Sequence, residues 1–187
     1  MEMQSHTFTA EDNNNVHYYT CGNPLGKPIF FIHGFPGTGK QGLLLLNGSG
    51  YEDQFFLVAL DRPGYGPSEY QPDFSLKKFS DYTDQLMTQL QISKFTVLSV
   101  SGGGPYAAAV SYYLPHRVTR TLSINGIAPM KLEKFPFLNQ AQKKMYIMNK
   151  MLPRPAIRFF VEQIYNRNVA KIDEILTSDF DKISPRD

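Results

Sequence analysis

The sequence has one cysteine, Cys21, among its 187 residues. An internal disulfide is therefore excluded, and a reducing compartment is the simplest reading. It has no long run of one charge sign. Basic and acidic residues are mixed along the chain, and the formal net charge is +2. That speaks against a nucleic-acid stripe or a polybasic membrane patch. No uninterrupted apolar run approaches the roughly 20 residues that span a bilayer. The opening, Met1-Glu2-Met3-Gln4-Ser5-His6, lacks a basic segment followed by an apolar one, so no signal peptide is expected. These absences predict a soluble, cytoplasmic protein. What is present is core-forming material: 42% hydrophobic and 13% aromatic residues, which excludes global disorder.

Residues 5–20 read as two short strands around the polar turn Glu11-Asp12-Asn13-Asn14-Asn15, a β-hairpin. Pro24, Gly26 and Pro28 are read as breaks before the apolar run Ile29-Phe30-Phe31-Ile32, which suits a strand buried on both faces. A short helix is expected at 40–46 and a second buried strand at 55–60. Loop 61–68 holds too much Pro and Gly for regular structure. Leu76, Phe79, Tyr82, Leu86 and Leu90 recur at three- and four-residue steps, predicting a helix over 75–91 with Ser75 as its cap. A strand at 94–100, a helix near 103–114 and a strand at 118–124 complete the rhythm. Alternating strands and helices imply an α/β, doubly wound, mostly parallel sheet with helices on both faces. After residue 129 the pattern becomes helical, with candidates near 138–151, 155–166 and 168–177. The expected organisation is a core over 1–128 and a helical cap-like segment over 129–187.

Three constellations could carry chemistry. Ser99-Val100-Ser101-Gly102-Gly103 lies where a buried strand meets a helix. A nucleophile on such a sharp turn needs small residues two before and two after it, and Ser101 has Ser99 and Gly103 there. The competing reading is a glycine-rich helix start that packs closely or binds an anion. His33-Gly34-Phe35-Pro36-Gly37 follows the 29–32 strand. A loop there can aim a backbone N–H at a developing oxyanion, with a second N–H from Gly102. His33 is read as a buried brace of that loop, with Gly34 and Pro36 as its supports, rather than as a base. Asp61-Arg62-Pro63-Gly64-Tyr65-Gly66-Pro67-Ser68 is read as a structural turn, and Asp61 is given no catalysis.

In order and spacing these motifs resemble those of the α/β-hydrolase family over residues from about 5 to 128. The resemblance implies an active site at the carboxyl ends of the strands, Ser101 as nucleophile, and oxyanion N–H groups from Phe35 and Gly102. Ser99 stands where the commoner residue is glycine. Relatives acting on epoxides or haloalkanes carry aspartate at the nucleophile position, so serine implies acyl transfer from a small apolar ester, thioester or amide. No cofactor and no metal are implied. The family order is nucleophile, acid, histidine. Only His116 follows Ser101, on a helix-to-strand connection expected at the far end of the sheet, and Asn125 is no carboxylate. His6 and His17 are placed on the surface of the hairpin. Glu133, Asp173, Glu174, Asp179 and Asp181 read as solvated face residues. The expectation is an α/β-hydrolase fold lacking its last strands: truncated, split, or needing a complementing C-terminal segment or a homo-oligomer, and weak in catalysis. Met145 and Met148 are candidates for an apolar substrate pocket.

Two alternatives stay open. Gly34-Phe35-Pro36-Gly37-Thr38-Gly39-Lys40 fits a phosphate loop, with Asp61 as a magnesium ligand, although Gln41 replaces the expected Ser or Thr. The chain could also be a non-catalytic binding scaffold on a hydrolase fold.

Overall fold

The computed structural model describes residues 2–127, 140, 151–153, 155–157, 159 and 163. The hairpin strands are β1 (Gln4–Thr9) and β2 (Asn15–Gly22), paired antiparallel from Gln4↔Thr20 to Thr9↔Asn15. Their turn closes through Asn13 N–H to Ala10 O and Ala10 N–H to Asn14 O, with Asn13 at φ 63°. Asparagine suits that left-handed position because its short polar side chain can bond locally.

Next come β3 (Lys27–Ile32), α1 (Gln41–Leu46), β4 (Phe55–Leu60), α2 (Leu76–Gln89), β5 (Phe95–Val100), α3 (Gly104–Tyr113) and β6 (Val118–Ile124). A single 3-10 turn, Ser101–Gly103, joins β5 to α3. The sheet order is β1-β2-β4-β3-β5-β6. Strands β4, β3, β5 and β6 run parallel, and β2 meets β4 antiparallel. Pro28 does not break the chain as its residue type suggested: it lies inside β3. Register explains why. Pairing of β3 with β5 begins only at Ile29, so the missing N–H of Pro28 falls where β3 has one neighbour.

Alternation along the strands divides the core. Phe30, Ile32, Val58, Leu60 and Val97 pack with Phe79, Leu86, Ala107 and Val110 from α2 and α3. Phe31, Leu57, Ala59, Tyr19 and Cys21 face the opposite way, with Leu46 of α1. Helices thus cover both faces, as the strand–helix rhythm implied. No described helix is long and apolar enough to cross a membrane.

The chain divides into compact units at Met1–Pro129 and Met130–Asp187. In the second unit, residues 140, 151, 155–157, 159 and 163 are helical. The 168–177 helix candidate, Met145 and Met148 lie outside the described residues.

Candidate active site

Parallel pairing fixes where the motifs meet. Because β3, β4 and β5 run the same way, the loops after Ile32, Leu60 and Val100 leave the sheet at one rim. That rim collects His33–Gly37, Asp61–Ser68 and the Ser101 turn. The β6 strand is parallel to β5, so the exposed His116, on the connection entering β6, lies at the other rim.

Ser101 takes φ 48°, a left-handed conformation that costs a non-glycine residue free energy. The turn survives because its neighbours are small. A Cβ on Gly103 would lie 2.5 Å from Ile32 O and 3.0 Å from His33 O. A Cβ on Gly102 would lie 3.4 Å from Phe35 N, which measures how closely the two loops approach. Ser99 is fully buried and bonds Ser123 Oγ at 3.1 Å, so its hydroxyl is satisfied where glycine is commoner. Ser101, Gly34, Phe35 and Pro36 line one cleft of about 240 Å³, with Gln41 and Leu44.

His33 is fully buried, and its bonding settles its tautomer. The Arg62 backbone N–H can only donate, and it reaches Nε2 at 3.2 Å. Nδ1 therefore carries the proton and donates to Gly34 O at 2.9 Å. Burial and the Arg62 guanidinium hold the imidazole pKa down to about 4. A neutral ring committed at both nitrogens braces the loop and has no lone pair for Ser101.

Arg62 was missed as a site residue. It is 4% exposed, and its guanidinium donates to Gly34 O (2.7 Å) and Gly102 O (3.2 Å), tying together the two loops of the cleft. The Tyr65 and Tyr106 rings flank it at 4.5 and 4.8 Å. Gln41, which the sequence marks only as a departure from a phosphate loop, is a second brace. Its Oε1 accepts from Gly34 N–H at 3.0 Å and its Nε2 donates to Pro36 O at 3.1 Å, spanning the loop from α1. A Pro- and Gly-rich loop signals only a turn; that one of its side chains points inward carries no sequence mark.

His17 corrects the surface reading. It is 6% exposed, because antiparallel β2–β4 pairing carries it under the loop after β4. Its Nδ1 lies 3.1 Å from Asp61 Oδ2, and Asp61 N–H donates to His17 O at 2.9 Å. Gly39 N–H donates to Asp61 Oδ1 at 2.6 Å. Burial pushes the Asp61 carboxyl pKa above its ordinary value, against the pull of these donors. Asp61 is thus bonded to Gly39 and His17, and Gln41 to the loop backbone.

Among the described residues, no group of three metal-binding side chains occurs, and no histidine hydrogen-bonds Ser101 Oγ.

A family model described as alpha/beta hydrolase fold matches residues 27–160. A proline iminopeptidase of Xylella fastidiosa is 29% identical over 121 residues, which cover 63% of this chain and 38% of that protein. A non-heme chloroperoxidase of Kitasatospora aureofaciens is 29% identical over 135 residues, covering 67% of this chain and 45% of that one. Among solved structures, Cfl2 from Burkholderia cenocepacia superposes with a TM-score of 0.69 at 19% identity, over 86% of this chain and 55% of that one. The chain thus spans less than half the length of either curated relative.

Proposed function

The chain belongs to the alpha/beta hydrolase fold family, and from that premise we propose that it is a serine hydrolase acting through an acyl-enzyme at Ser101. The substrate class is a small apolar ester, thioester or amide. One observation carries the reading: Ser101 sits in a left-handed turn at the sheet's carboxyl rim, in one cleft with Phe35, and Gly102 abuts the Phe35 amide. Attack by Ser101 Oγ on a carbonyl would develop an oxyanion that backbone amides of Phe35 and Gly102 stabilise. Arg62 positions both loops through the neighbouring carbonyls, and His33 keeps the first loop rigid. Names of relatives support hydrolysis in general terms: a proline iminopeptidase and an epoxide hydrolase are among them.

Neither a base nor an acid faces Ser101 from the described residues. A hydroxyl without a base is a poor nucleophile. The proposal is therefore of slow catalysis by this chain alone, raised when a complementing segment or second copy supplies a histidine. The test is hydrolysis of p-nitrophenyl acetate with and without Ser101→Ala. Weak turnover is expected, at a level set by the oxyanion hole and binding, on the order of 10³–10⁴ over water, with an acetyl group on the Ser101 peptide, read by mass spectrometry, that is lost in Ser101→Ala. A Ser101 peptide that takes up no acetyl group during turnover would remove the nucleophile assignment.

A further inference from the structure

A second serine, histidine and aspartate meet on the other side of the α1 loop. Ser5 Oγ lies 2.8 Å from His17 Nε2, and His17 Nδ1 lies 3.1 Å from Asp61 Oδ2. The three residues come from β1, from β2 and from the end of β4, and no sequence motif joins them. Register makes the alignment. Ser5 faces Tyr19 and Thr7 faces His17 across the hairpin, so Ser5 and His17 are diagonal neighbours on one face.

The order of partners is the order of a relay. Asp61 is fully buried and His17 is 6% exposed, while Ser5 is exposed. Gly39 N–H donates to Asp61 Oδ1 and His17 Nδ1 faces Oδ2, while the Tyr19 hydroxyl also bonds the carboxylate. With Nδ1–H donating to that carboxylate, Nε2 is the acceptor and faces the Ser5 hydroxyl. The Tyr19 ring stands 4.6 Å from the imidazole at 77° and fixes its plane. Ser5, His17 and Tyr19 line a cleft of about 580 Å³ with Lys40, Leu43 and Met3. That cleft shares no lining residue with the one at Ser101.

We propose that Ser5, His17 and Asp61 form a second nucleophilic site, with Ser5 Oγ reacting toward small esters. The Oγ–carbonyl carbon bond forms as the Oγ proton passes to His17 Nε2. The bond from that carbon to the leaving alcohol oxygen then breaks, and the alcohol takes the proton from Nε2. Water attacks the acyl-serine by the reverse route, giving the acid and restoring Ser5–OH. Asp61 holds the tautomer and balances the imidazolium. Lys40 and Glu2 bring one charge of each sign to the cleft, and Leu43 and Met3 offer a short acyl chain an apolar wall.

The test uses the full chain carrying Ser101→Ala, treated with a small alkyl fluorophosphonate and read peptide by peptide by mass spectrometry. Ser5 is expected to form its phosphorus–oxygen bond, releasing fluoride, on the order of 100-fold faster than Ser49, an exposed serine with no histidine partner. His17→Gln should bring Ser5 down to the Ser49 rate. Where His17→Gln fails to fold, Ser5→Ala, at an exposed position, serves instead and should abolish labelling of the first peptide. Equal rates at Ser5 and Ser49 in a folded chain would overturn the proposal. Ser101 labelling in the unsubstituted chain is read on a separate peptide, so either assignment can fail while the other stands.

Discussion

His33 spends both ring nitrogens inside the protein, and that commitment has a pH signature. Unfolded, the imidazole takes a proton near its ordinary 6.5; folded, it resists until about 4. Between those values the unfolded chain binds more protons, so stability falls as pH falls through the window and levels off below it. The full loss is on the order of 3 kcal/mol. Urea midpoints measured from neutral pH down to about pH 4 should decline for the unsubstituted chain and decline less for His33→Gln, because glutamine does not titrate; parallel curves would refute the assignment. Ser101, Gly102 and Gly103 were legible as a strained turn because small residues at fixed spacing are what such a turn requires. Arg62 and Gln41 were not, because their roles consist of reaching loops 28 and 7 residues away. His17 misled for a related reason: a polar residue on a hairpin is ordinarily solvated, and here β4 and the loop after it cover it.

Elements were more legible than residues. Helix α2 begins where the sequence places it, with Ser75 Oγ accepting from Lys78 N–H at 3.1 Å. That bond satisfies one of the orphan donors of the first turn. Ser75→Ala should cost about 1 kcal/mol, read as a lower urea midpoint with an unchanged slope. An unaltered midpoint would mean that the cap contributes nothing here. A second tie holds α2 to the hairpin: Tyr82 O–H donates to Asp12 Oδ2 at 2.8 Å, and Lys78 pairs with the same oxygen at 2.7 Å. Burial opposes the Asp12 charge, but Lys78, Asn14 and Tyr82 more than offset it and hold the carboxyl well below the usual range. The 11–15 stretch announced a turn by composition alone. That the turn would anchor to a helix some 70 residues on was not visible.

Across the whole molecule, stability should be graded by position in the sheet. Strands β4, β3 and β5 are each paired on both sides, whereas β1 and β6 end the described sheet. Phe30, Phe31, Val58, Ala59 and Val97 are fully buried, while most of β6 is exposed, with Leu122 at 50% and Ile124 at 47%. Amide hydrogen exchange should therefore be slowest in β3, β4 and β5, and faster in β1 and β6 by at least about tenfold. Uniform protection would mean that β6 is covered more completely than the described residues indicate.

The sequence by itself determined the succession of strands and helices and the three loops that carry the family's pattern. Those signals are local: short continuous apolar runs for the buried strands, three- and four-residue spacings of apolar side chains for the helix, and Pro and Gly where the backbone must turn. Tertiary structure alone decided that Arg62 and Gln41 brace one of the rim loops, and that Ser5, His17 and Asp61 fall into line. Such contacts depend on strand order and register, which bring together residues 12 and 44 positions apart, and no pattern within a single segment encodes a partner in another.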